Sequence, residues 1–159
     1  MFVRYYIELP VHIDRIETRL MASPASWLPT MADDAHAHGQ RLLTEVGFGE
    51  ELHVAKRVLL EVGHPVRLPS KLVLPLHWRA VGAEKLFPVL DADLEVARLT
   101  PGTTQLSVSA RYVPPLGALG STIDRALLHR IAEATMKDFL DQIATTLLDG
   151  AHLVSAPHS

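Results

Sequence analysis

Residues 121–148 contain neither glycine nor proline, and their apolar positions cover much more than one narrow stripe. Ile123, Leu127, Ile131, Ala134, Phe139, Ile143 and Leu147 recur at helical spacing, while Leu128, Ala132, Met136, Leu140 and Ala144 widen the surface. Ser121 or Thr122 can cap the start, and Asp124 suits the positive end of the helix dipole. A helix this broadly apolar needs cover on more than one side. The rest of the chain has to supply that cover.

Most of what precedes it reads as strands. Val3, Tyr5, Ile7 and Leu9 alternate with Phe2, Arg4, Tyr6 and Glu8. Residues 53–62 place Val54, Lys56, Val58, Leu60 and Val62 on one face, and 72–80 do the same with Leu72, Leu74, Leu76, Trp78 and Ala80. Leu90, Ala92, Leu94 and Val96 alternate with Asp91, Asp93 and Glu95; Thr104, Leu106, Val108, Ala110 and Tyr112 follow across the "TPGT" turn at 100–103. Such alternation means one sheet face packs and the other meets water. "VRLPSK" at 66–71 extends an earlier strand or forms an edge or loop. Between the first two strands the period becomes helical: Ile13, Ile16 and Leu20 precede a break at Pro24. "SPASWLPTM" reads as a helical turn or loop, and Asp33 or Asp34 as the cap of a further helix that ends at Gly47 and Gly49.

A chain of 159 residues makes one domain over 1–150, with a fraying tail at 151–159. The net charge of −3 gives no basic field for nucleic acid, and the absence of cysteine excludes disulfides and thiolate chemistry. Neither a secretory leader nor a run of ~20 apolar residues is present, so a soluble, cytoplasmic protein is expected.

Two phrases, "LHWRAVGAEKLFPVLDADLEV" (76–96) and "YVPPLGALGSTIDRALLHRIAEATMKDFLDQI" (112–143), together with the element order, resemble the START-like superfamily. This superfamily is also called SRPBCC or helix-grip, and the likeness is to its small bacterial polyketide cyclase/dehydrase-like members. The resemblance implies an α+β fold, a curved antiparallel β-sheet wrapped around a long C-terminal α-helix, with short helices between the first two strands and a cavity between sheet and helix. Pro114 and Pro115 then end strand pairing, and Gly117 and Gly120 permit the reversal into the helix. Their G-x-x-G spacing matches no phosphate-binding fingerprint.

Within that frame the expected function is binding of a small hydrophobic molecule such as a lipid, polyketide, isoprenoid or aromatic metabolite. The expected lining comes from Lys56, Val58 and Leu60, then Leu74, Leu76 and Trp78, then Leu94, Val108 and Tyr112, and from Ile131, Thr135 and Phe139 of the helix. Trp78 and Tyr112 each join a large apolar surface to one donor. Lys56 either points into the cavity or snorkels to solvent. Phe87 anchors a loop or guards the mouth. "DDAHAH" reads as a solvated cap rather than a metal site, because His36 and His38 at i and i+2 do not share a helix face. His77 and Arg79 are expected outside, and Arg130 within reach of Asp124 or Glu133. No nucleophile motif, cofactor signature or catalytic residue is assigned. The competing readings are a cyclase/dehydratase-type enzyme using Lys56 and Tyr112, and a partner-binding regulatory protein. The sheet edges leave a homodimer open.

Overall fold

The computed structural model describes residues 2–43, 58–80, 89–113 and 125–153. The first strand, β1 (Phe2–Leu9), lies beside the last, β6 (Thr103–Val113), and pairs with it antiparallel over its whole length. Between them come the helices α1 (Ile13–Leu20) and α2 (Pro24–Leu43) and the strands β2 (Val58–Val62), β3 (Val66–Arg67), β4 (Lys71–Ala80) and β5 (Val89–Thr100); α3 (Arg125–Leu153) closes the order. The sheet runs β1-β6-β5-β4-β2, all antiparallel, with β3 beside the far half of β4. It is the curved six-stranded sheet and terminal helix of the helix-grip arrangement.

Period-two alternation sets the register. Tyr5, Val108, Leu94 and Leu74 form one row across the concave face. Val3, Ala110, Ala92, Leu76 and Val62 form the next, and Tyr112, Leu90, Trp78 and Leu60 the third. Leu74, Leu94 and Val108 have no exposed surface, whereas Asp91, Asp93 and Arg111 on the other face are exposed. The "TPGT" turn joins β5 to β6 as expected, Gly102 N donating to Thr100 Oγ1 at 3.3 Å. "VRLPSK" contributes the short edge strand β3. The break before it falls at Gly63, whose N donates to Pro75 O at 2.8 Å and where a Cβ would sit 3.1 Å from the Pro75 ring.

α3 packs on β1 and β6, α2 lies along α3 and reaches β2, and α1 covers the other end of α3. The buried side of α3 is Ala132, Met136, Phe139, Leu140, Ile143, Ala144 and Leu147; Leu127, Ile131 and Ala134 are half-buried at its margin. The helix continues through Gly150 to Leu153, beyond the expected helical stretch 121–148.

One expectation fails. The segment read as a loop followed by a separate helix is a single helix, α2, with Pro29 inside it. Leu28, Ala32, Ala35 and Gly39 recur at helical spacing and are buried, so packing offsets the hydrogen bond that Pro29 cannot make. Pro24 is the first residue of α2, where a missing N–H costs nothing. Asp33 therefore lies mid-helix, and its Oδ1 accepts from Val58 N at 2.8 Å, tying α2 to the start of β2. No helix among the described residues is long and apolar enough to cross a membrane.

Candidate functional site

The row Tyr112–Leu90–Trp78–Leu60 marks one end of the concave face, and four elements bring polar atoms to it. Trp78 on β4 is 4% exposed and meets Phe139 of α3 edge to face, ring centres 5.4 Å apart. Tyr112 on β6 is buried, and its phenol is pushed above its ordinary value, first by desolvation and then by the negative charge of Glu133 on α3. Burial thus keeps it a neutral hydroxyl. Thr135, one turn before Phe139, is buried against α2: a Cβ at Gly39 would collide with Thr135 Oγ1 and lie 3.8 Å from Ile131. His36 lies three residues before Gly39, its Nε2 shielded from solvent. Burial lowers its pKa against the opposing effect of Asp33, so the imidazole is held neutral.

Of the expected lining, Leu60, Leu76, Trp78, Tyr112, Thr135 and Phe139 come together at this end, with Val58 at its rim. Leu74, Leu94 and Val108 form the row nearer the middle, in the closed core. Ile131 is half-buried, its methyl facing Gly39. Lys56, Phe87 and the Pro114–Gly120 corner lie outside the described residues.

The "DDAHAH" segment corrects the sequence reading. It is not a solvated cap: Asp33 is engaged by β2 and His36 is sunk. His36 was missed because its neighbours Ala32, Ala35 and Gly39 are too small to signal an apolar face. No three His, Cys, Asp or Glu residues among those described could hold a metal ion. His77 is outside, as expected, but only half-exposed, and its Nδ1 lies 2.6 Å from Asp91 Oδ1. Glu133 is taken by His129 at 3.2 Å, and Asp124 lies outside the described residues.

No family model matches the sequence, and no curated protein matches it. Solved structures do. A conserved protein from Geobacillus kaustophilus superposes with a TM-score of 0.54 at 13% identity, over 92% of this chain and 95% of that one. The Zhui aromatase/cyclase from Streptomyces sp. R1128 aligns over 98% and 96% of the two chains, with a TM-score of 0.44 at 11% identity. A START superfamily protein from Mycobacterium smegmatis aligns over 97% and 99%, with a TM-score of 0.41 at 12% identity. At these identities the likeness is one of fold. The topology above, an antiparallel sheet with a long terminal helix, is that of a helix-grip fold.

Proposed function

We propose that this protein binds a small hydrophobic molecule between the sheet and α3, at the end marked by Trp78 and Tyr112. One observation supports the reading above others. Trp78, Tyr112, Thr135 and His36, from four elements, carry polar atoms in one half of the interior, whereas the opposite rows are filled by Leu72, Leu74, Leu94, Val96, Leu106 and Val108 and the one inward hydroxyl there, Thr104, is already bonded to Val11 O at 2.7 Å. Few polar groups in an apolar surround are what a site for a greasy molecule with one hydrogen-bonding function requires. All four side chains are neutral or held neutral, so the matching molecule is uncharged at this end.

The test is native mass spectrometry of freshly purified protein against its denatured mass, followed by titration with an uncharged fluorescent apolar probe. A discrete added mass lost on denaturation is expected, as is binding that weakens at least ~10-fold in Phe139→Ala. Tyr112→Phe removes one hydrogen bond and is expected to weaken a ligand bearing a carbonyl or hydroxyl ~3–10-fold. A protein that carries no added mass and takes up no probe overturns the proposal.

A further inference from the structure

The two edges of the sheet are not alike. The β2 edge has only five residues and is followed, after Gly63 and Pro65, by the two residues of β3. An edge this broken cannot template another strand. The β1 edge has eight consecutive residues without glycine, proline or bulge, in unbroken register with β6. Among the described residues nothing pairs with its other side. α3 leaves a hollow of about 370 Å³ beside Val3 and Tyr5, so the helix does not seal this edge. The outer face carries two aromatic rings in water, Phe2 at 55% and Tyr6 at 57% exposure.

We infer that β1 is a self-association edge, pairing antiparallel with β1 of a second copy about a two-fold axis through Tyr6. Side chains on the outer face read Phe2, Arg4, Tyr6, Glu8. In antiparallel pairing centred on Tyr6, Arg4 stands opposite Glu8 of the second copy, Glu8 opposite its Arg4, and the two Tyr6 rings meet. Val3 stands opposite Leu9 and Tyr5 opposite Ile7 on the other face. Centring on Tyr5 sets Arg4 against Tyr6, and centring on Ile7 sets Glu8 against Tyr6, leaving the charges unmatched; parallel in-register pairing sets Arg4 against Arg4. Only the Tyr6 register satisfies both charges, and opposite charges directly across a strand pair favour pairing where like charges oppose it. Arg4 and Glu8 are both exposed. The contact is isologous, as a closed dimer requires, and Pro10 ends it on both sides. The result is one sheet running through both copies.

Sedimentation velocity across protein concentration tests this directly. For a contact of strand-pair size a monomer–dimer transition at roughly 1–100 μM is expected, weakening with salt. Arg4→Glu and Glu8→Arg each place like charges across the axis and are expected to weaken dimerisation at least ~10-fold. The double variant Arg4→Glu/Glu8→Arg restores the match with charges exchanged and is expected to dimerise as the parent does. Circular dichroism confirms that the variants fold. A parent that stays monomeric above 100 μM, a dimer indifferent to both single reversals, or a double variant that stays monomeric overturns the inference; the first outcome leaves the edge to an extended segment of another protein.

Discussion

At Gly39 α2 and α3 approach each other closely, and the reason is steric. A Cβ there would collide with Thr135 Oγ1, so α2 and α3 can touch only because position 39 has no side chain. Gly39→Ala gains helix propensity but overpacks the contact, and a net loss of about 1–2 kcal/mol is expected. Thr135→Ala removes the obstructing oxygen. The double variant is therefore expected to be more stable than the sum of the two single effects, a coupling that chemical denaturation of all four proteins would measure. If Gly39→Ala is neutral, the helices are separable and the close approach carries no weight. The same pair shows why the site was only half legible in the sequence. Trp78, Tyr112 and Phe139 announce themselves by size on faces the period makes plain. Gly39 and His36 do not, because a stripe of alanines and a glycine carries almost no hydropathy signal.

At the scale of elements, strands were legible and the boundaries of α2 were not. Alternation fixes a strand's inner face residue by residue, so the inward sets of β1, β4, β5 and β6 follow from the sequence alone. α2 was cut at Pro29 because proline reads locally as a stop, while the buried positions that carry the helix past it face α3 and β2, remote in sequence. Asp33 reads as a cap for the same reason. Its actual task is to hold Val58 N, the first amide of β2. Asp33→Ala removes that acceptor, and a loss of about 1–2 kcal/mol is expected. Amide exchange localises it: Val58 is expected to exchange faster than Leu60, while amides of β5 and β6 follow only global stability. Uniform acceleration of all amides would show that Asp33 acts elsewhere.

For the molecule as a whole, the half-buried imidazole of His36 couples stability to pH. The folded-state pKa of His36 lies below the ordinary value of 6.5 because burial disfavours its charged form. Between the depressed value and 6.5 the unfolded chain binds a proton that the folded chain refuses, so stability rises with pH through that window. The contribution is complete above 6.5 and is lost as pH falls toward the depressed value. Thermal melts from pH 7.5 to 5 are expected to show a falling midpoint in the parent and a shallower fall in His36→Gln. Equal slopes would mean that His36 takes its proton freely. The mildly acidic range is thus where the fold loses the stability that a neutral His36 contributes.

The neighbour relation of β1 and β6 has a consequence for synthesis. The strand made first has its partner in the strand made last, about a hundred residues later, and its cover in the helix made after that. At roughly 5–20 residues per second a ribosome needs on the order of 5–20 s to reach β6. For that interval the aromatic-rich segment Phe2–Leu9 has neither ladder nor roof, the ladder waiting for β6 and the roof for α3. A holdase that shields short apolar segments of nascent chains would find its client here in Phe2–Leu9, long before the fold exists.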